Sequence, residues 1–198
     1  MKKIPTLFVR KFENHRVVEI TPEVTKGFEW VLNGEGTATL KYDGACCAII
    51  NGEFYKRYDA KKGKKAPAGA IPCQEKPDEI TGHFPHWVKC ERDNPADKWF
   101  WAAYDNTNHS IKEADGTFEA IGEHFNGNPY EMDMDTLIPH GTVVLANFPR
   151  DFENIKKCLA ELVIGGHYIE GVVFWKDGKP QCKIKRTDFG LPWGSKNV

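Results

Sequence analysis

Glu170, Lys183 and Lys185 are of types that handle phosphate: a carboxylate binds Mg²⁺, and ammonium groups neutralise phosphoryl oxygens. If Asp177-Gly178 is a two-residue hairpin turn, Lys176 pairs with Lys179. Val172 then falls opposite Lys183 and Glu170 opposite Lys185, and alternation sets Glu170, Lys183 and Lys185 on one face. The bland alternative is a solvated face with one cross-strand ion pair. Counting through turns at Asp43-Gly44 and Asn51-Gly52 pairs Lys41 with Cys46 and Cys46 with Arg57. Two cations flanking a small side chain leave room for an anionic ligand. Their repulsion would lower the lysine pKa from about 10.4 toward a neutral, nucleophilic amine. A polar outer face is the alternative here too, and one bulge would shift either register.

Strands must hold these residues. The signals fall at Thr37 to Tyr42, Ala45 to Ile50, Glu53 to Tyr58, Thr142 to Phe148, Tyr168 to Trp175 and Gln181 to Arg186. One helix is marked by Phe152, Ile155, Leu159 and Leu162 at helical spacing, with Asp151 to cap its start and Gly165-Gly166 to end it. The Lys-, Pro- and Gly-rich stretch from 60 to 82 reads as a long surface loop. The expected class is α+β, with mainly antiparallel sheets and flanking helices.

The chain of 198 residues fits one ordinary domain, and no apolar run approaches the roughly 20 residues of a bilayer span. Ile4 to Val9 is too short for a signal peptide's apolar segment, and the six cysteines suggest no disulfide framework, so a cytoplasmic setting is expected. The net charge of -1 argues against wholesale polyanion binding but conceals patches. Residues 56–65 carry Lys56, Arg57, Lys61, Lys62, Lys64 and Lys65 against Asp59, residues 91–135 are acidic, and residues 176–186 are basic again.

As a string, K-Y-D-G (41 to 44) resembles the KxDG motif of covalent nucleotidyltransferases, the superfamily of ATP-dependent ligases and capping enzymes. Glu119 in F-E-A-I-G, Glu170 in E-G-V-V and Lys183 with Lys185 in K-I-K follow in the order of the later superfamily motifs. W-V-L-N-G-E-G-T-A-T-L-K-Y-D-G-A-C-C (30 to 47), I-T-G-H-F-P-H-W-V (80 to 88), G-N-P-Y (127 to 130), L-I-P-H-G (137 to 141) and G-H-Y-I-E-G-V-V (166 to 173) resemble small ATP-dependent RNA ligases, a similarity spanning residues 28 to 193.

The resemblance implies that Lys41 attacks the α-phosphorus of ATP and carries AMP. Asp43, with Gly44 beside it, would orient the lysine or its metal water. Arg57 would touch ribose or phosphate and later the RNA 5′-phosphate, Glu119 would accept a ribose hydroxyl, and Glu170 would bind Mg²⁺ or Mn²⁺. Lys183 and Lys185 would hold the α-phosphate, and Phe148 is the candidate ring to stack on adenine. Adenylate would pass to an RNA 5′-phosphate, to be sealed to a 3′-hydroxyl. The basic loop from Lys56 to Lys65 would supply RNA contacts or serve as an ordinary solubilising loop. Residues 1–198 are expected to form a single adenylation domain without the C-terminal β-barrel of larger relatives, acting as a monomer and without a membrane. A GTP-using guanylyltransferase and a non-catalytic RNA- or nucleotide-binding module are the alternatives.

Other patterns carry less. Cys73, His83, His86 and Cys90 suit zinc by type, but their spacing matches no common finger. Phe84, Trp87, Trp99, Phe100, Trp101 and Tyr104 read as core more readily than as a base-stacking platform. There is no P-loop, and Gly34-Glu35-Gly36 lacks the third glycine of a dinucleotide fingerprint.

Overall fold

The computed structural model describes residues 1–13, 16–79 and 81–194; Ile80, at the head of the I-T-G-H stretch, lies outside the described residues. In chain order the elements begin with β1 (Phe8–Glu13), β2 (Arg16–Val24), α1 (Glu29–Leu32), β3 (Thr37–Lys41), β4 (Ala45–Ile50) and β5 (Glu53–Ala60). Next come β6 (Ile71–Pro72), β7 (Phe84–Lys89), α2 (Lys98–Asn106), α3 (His109–Lys112), β8 (Gly116–Ile121) and β9 (Thr136–Pro139). The chain continues with α4 (Phe152–Glu161), β10 (Val163–Ile164), β11 (His167–Tyr168), β12 (Gly171–Lys176) and β13 (Lys179–Lys185). The strands of every sheet pair antiparallel, so the α+β class with mainly antiparallel sheets holds.

Two compact units result, the first from Met1–Lys3 with Asp43–His140, the second from Ile4–Tyr42 with Gly141–Val198. The first is built on a six-stranded sheet ordered β6-β7-β5-β4-β8-β9. Alternation turns Cys47, Ile49, Phe54, Phe118 and Leu137 to one face, where Phe100, Trp101 and Tyr104 of α2 cover them. Each such large side chain buried contributes on the order of 1.5–3 kcal/mol. The aromatic run from 99 to 104 is therefore mostly core, although Trp99 stays 39% exposed. Cys46, Arg57 and Glu119 point from the opposite face, because Cys46 stands opposite Glu119 and the β4–β5 register continues to Arg57.

The second unit is built on the sheet β13-β12-β3, whose core face carries Leu40, Val172, Phe174, Cys182 and Ile184. Helix α4 adds Ile155 and Leu159 to that core, and the Asp151 carboxylate caps it by accepting the Asn154 N–H at 3.0 Å. The β1–β2 hairpin contributes Phe8 and Ile20.

Four sequence expectations need correction. Asp43-Gly44 is not a hairpin turn: β3 pairs with β12 in one sheet and β4 with β5 and β8 in another, so Lys41 does not pair with Cys46. The backbone shows why. Asn51-Gly52 and Asp177-Gly178 have the positive φ values of a tight hairpin, 51° and 74° and then 52° and 69°, whereas Asp43 and Gly44 are not among the positive-φ residues.

The β12–β13 register also slips. Lys176 does pair with Lys179, but Pro180 has no N–H for the ladder, and Gln181 forms a bulge before Phe174 meets Cys182. Lys183 then faces Val173, and Lys185 faces Gly171. The segment from 142 to 148 is not a strand; it rides along β3, with the Leu40 N–H on the Val143 carbonyl and the Leu145 N–H on the Ala38 carbonyl, both at 2.9 Å. Gly165-Gly166, finally, makes the β10–β11 turn rather than the helix end, since α4 stops at Glu161 and both glycines adopt positive φ.

Candidate functional site

In the second unit, Lys41 ends β3 and Lys185 ends β13, and both are paired with Gly171 of the central strand β12. Gly171 leaves its place in that row without a side chain; a Cβ there would run into the Ile184 carbonyl oxygen. Glu170, one residue ahead of β12 and only 3% exposed, turns its carboxylate to both neighbours. Its Oε2 pairs with the Lys41 ammonium, and its Oε1 lies 3.2 Å from the Lys185 Nζ. The slipped register thus still brings Lys41, Glu170, Lys183 and Lys185 together.

This cluster is rich in positive charge. Burial first, then the charges of Lys41, Lys185 and Arg10, lower the Lys183 ammonium to about 8, with Glu170 pulling the other way. Arg10 is a cation that sequence spacing did not suggest, because it comes from the β1–β2 hairpin. Its guanidinium is paired with Asp188, whose other oxygen accepts the Lys185 backbone N–H at 2.8 Å. Four cations meet two carboxylates, so an anion is the natural complement.

In the first unit, Asp43 and Gly44 are held by hydrogen bonds to neighbouring side chains. The Asp43 N–H donates to the Tyr130 hydroxyl at 2.7 Å, and the Asn126 side-chain amide donates to Asp43 Oδ1 and to the Gly44 carbonyl, each at 2.8 Å. The Gly44 N–H reaches Glu119 Oε1 at 3.1 Å. Gly44 must be glycine, since a Cβ would collide with the Ala120 carbonyl oxygen. His140 completes the group, with Nε2 2.9 Å from Glu119 Oε2 and Nδ1 3.0 Å from the Thr117 hydroxyl. Asn126, Tyr130 and His140 were absent from the sequence-derived site. Tyr130 and His140 do lie in the quoted G-N-P-Y and L-I-P-H-G stretches, but no spacing rule marks them.

Arg57 stands beside Cys46, with its Nε–H bonded to Asp59 at 2.8 Å. Burial, followed by the Glu119 charge, pushes the Cys46 thiol up to about 12, so it stays protonated and is a poor nucleophile. Among the described residues, Cys46, Glu119 and His140 form the one group of three metal-ligating side chains, their donor atoms within 4.8 Å of one another. With a thiol and an imidazole beside a single carboxylate, the set does not suit Mg²⁺, which takes oxygen ligands. Cys73, His83, His86 and Cys90 do not form such a group. Phe148 is closed into the core of the second unit at 5% exposure, against Phe174, and presents no open face to a base. Lys56 is paired with the buried Asp97, which removes it from the basic loop's free charges; Lys61, Lys62, Lys64 and Lys65 are exposed.

Glu170 fits a hard divalent cation by type. It is a carboxylate beside the amines of Lys41 and Lys185, and Mg²⁺ commonly takes one or two carboxylates with substrate oxygens and water completing its shell.

The family model for RNA ligase 1 matches residues 107–198. RNA ligase 1 of Danio rerio is 28% identical, over 79% of this chain and 68% of that protein. RNA ligase 1 of Rattus norvegicus is 27% identical over the same shares, and that of Pongo abelii is 29% identical over 66% of this chain and 50% of its own length. The chain is thus similar to RNA ligase 1, spanning about two thirds of the fish and rat proteins and half of the ape one.

Proposed function

We propose that this relative of RNA ligase 1 is an ATP-dependent RNA ligase that carries AMP on Lys41, passes it to an RNA 5′-phosphate and seals that end to a 3′-hydroxyl. The observation that carries the reading is the amine of Lys41 set against Glu170, with Lys183 and Lys185 on the neighbouring strand. A lysine attacks phosphorus only as the neutral amine, so the proton that Lys41 shares with Glu170 must leave before the new bond forms. The nitrogen forms a bond to the α-phosphorus as the bond to the pyrophosphate oxygen breaks, and the amine proton leaves to solvent. Lys183 and Lys185 neutralise the α-phosphoryl oxygens as charge develops on them. Mg²⁺ bound through Glu170 would supply further neutralisation of phosphate charge.

In the first unit, Glu119 retains lone pairs for a ribose hydroxyl beyond its bonds to Gly44 and His140. Those two donors fix the orientation of its carboxylate. Asp43 is held at its backbone N–H by Tyr130 and at its carboxylate by Asn126.

The test uses the full chain with Mg²⁺ and α-labelled ATP or GTP, followed by matched 5′-phosphorylated RNA and DNA strands. Labelling by ATP and sealing of RNA are expected. Labelling by GTP alone would make the protein a guanylyltransferase, no adduct would leave a binding module, and equal sealing of DNA would overturn the RNA preference.

A further inference from the structure

We propose that a cavity of about 450 Å³ in the second unit receives the 5′-phosphorylated terminal nucleotide of an RNA strand, its phosphate held by Arg10 and Lys185. This rests on the ligase reading and assigns a place to the second substrate. The cavity lies between the β1–β2 hairpin, which supplies Arg10, Val17, Val18 and Glu19, and the end of β13 with the turn after it, which supplies Lys185, Thr187 and Asp188.

Hydrogen-bonding capacity points to a phosphate, although the lining sets Arg10 and Lys185 against Glu19 and Asp188. Lys183 and Lys185 serve the α-phosphate in the reading above, which leaves Arg10 without a catalytic duty although its charge bears on Lys183. Asp188 faces the Arg10 guanidinium, yet that carboxylate is shared with the Lys185 backbone N–H. Arg10 Nε is buried with no hydrogen-bond partner among the described residues, so the guanidinium is not fully satisfied by the protein. A guanidinium presents a planar fork of donors that matches two oxygens of a phosphate monoester, and Thr187 adds a hydroxyl to the lining. The Glu19 carboxylate, which would repel an anion, is tied to Lys11 at 2.7 Å.

The other wall distinguishes a nucleotide end from an inorganic anion. Val17 and Val18 line the cavity while 44% and 52% exposed. An apolar wall offers nothing to pyrophosphate but suits the sugar and base of a terminal nucleotide, whose monoester phosphate would rest on the cations opposite. Lys185 borders both this cavity and the Glu170 cluster, which places the RNA phosphate next to the lysine that holds the adenylate's phosphate.

The experiment compares binding of a fluorescent RNA trinucleotide bearing a 5′-phosphate with the same trinucleotide bearing a 5′-hydroxyl, using the full chain without ATP. The wild-type protein should prefer the phosphorylated end by about tenfold, from a charge-assisted contact of ordinary strength. Arg10→Gln should erase the preference. So should Val18→Glu, which sits on an exposed strand position and brings a negative charge to the wall. Equal binding of both ends by the wild type, or a preference that survives both substitutions, would overturn the proposal. Inorganic pyrophosphate binding as tightly as the phosphorylated RNA, and losing affinity in Arg10→Gln, would assign the cavity to the tail of ATP and overturn it as well. Lys41 labelling followed in parallel separates the two readings. An end preference without an adduct removes the ligase reading and keeps the phosphate site, whereas an adduct without the preference removes the site alone.

Discussion

The polar cluster of the second unit and that of the first are balanced in opposite ways. Around Glu170, cations outnumber carboxylates, and burial together with the charges of Lys41 and Lys185 lowers the Lys183 ammonium. Around Glu119 the carboxylate is met by a backbone N–H and an imidazole, while Arg57 is answered by Asp59, so charge is settled locally. On the proposed reading, the surplus of cations around Glu170 would take an anion and the set around Glu119 would take uncharged groups such as ribose hydroxyls. The difference predicts different failures when each is disturbed.

The largest effect should come from Glu170→Gln. It leaves Lys41, Lys183, Lys185 and Arg10 facing Asp188 alone, and breaking a buried pair costs about 3–5 kcal/mol. Metal-dependent labelling by ATP should fall at least about a hundredfold, equivalent to about 2.7 kcal/mol in the barrier. The melting temperature should drop too, and recover in part when pyrophosphate is added. Full labelling would show that Glu170 holds no metal.

Gly44→Ala breaks the other cluster by shape rather than charge. Its Cβ would meet the Ala120 carbonyl oxygen, so β4 must move away from β8, at a cost of about 1–3 kcal/mol. A lower melting temperature that pyrophosphate does not rescue would sharpen the contrast. Rescue equal to that of Glu170→Gln would erase it.

The smallest effect is a pH dependence. Without nucleotide, the folded state disfavours charged Lys183, so this residue's contribution to stability improves as pH rises from about 8 toward the ordinary value of 10.5. Phosphate binding reverses the preference and takes up a proton. Affinity for ATP, measured by calorimetry, should therefore be highest below about pH 8 and fall by up to tenfold per unit above it. Lys183→Arg keeps its charge and should flatten the profile, and a flat wild-type profile would contradict the assignment.

These features were unequally legible in the sequence. Strands β4 and β5 and their Asn51-Gly52 turn follow from local chemistry, and so do helix α4 and its Asp151 cap. The Asp43-Gly44 dipeptide misled because the same pair serves a tight turn in one setting and close backbone packing in another. What decides between them is the position of Ala120, 76 residues farther along the chain, and pairing rules do not supply it. The Glu170 cluster was found in spite of a wrong register: the Gln181 bulge moved the pairing by one, and the Glu170 carboxylate reaches Lys41 and Lys185 from outside the ladder. Arg10, Asn126 and His140 were missed because the groups they bond, Asp188, Asp43 and Glu119, lie far from them along the chain. Phe148 was chosen by its place between motifs, and its hydrophobicity took it into the core instead.

The most direct measurement is intact-mass and peptide mass spectrometry of the full chain after incubation with ATP and Mg²⁺. One AMP, acid-labile and located on Lys41, is the expected result, with no adduct in Lys41→Ala. An adduct on another residue, or one that persists in Lys41→Ala, would contradict the role given to this lysine.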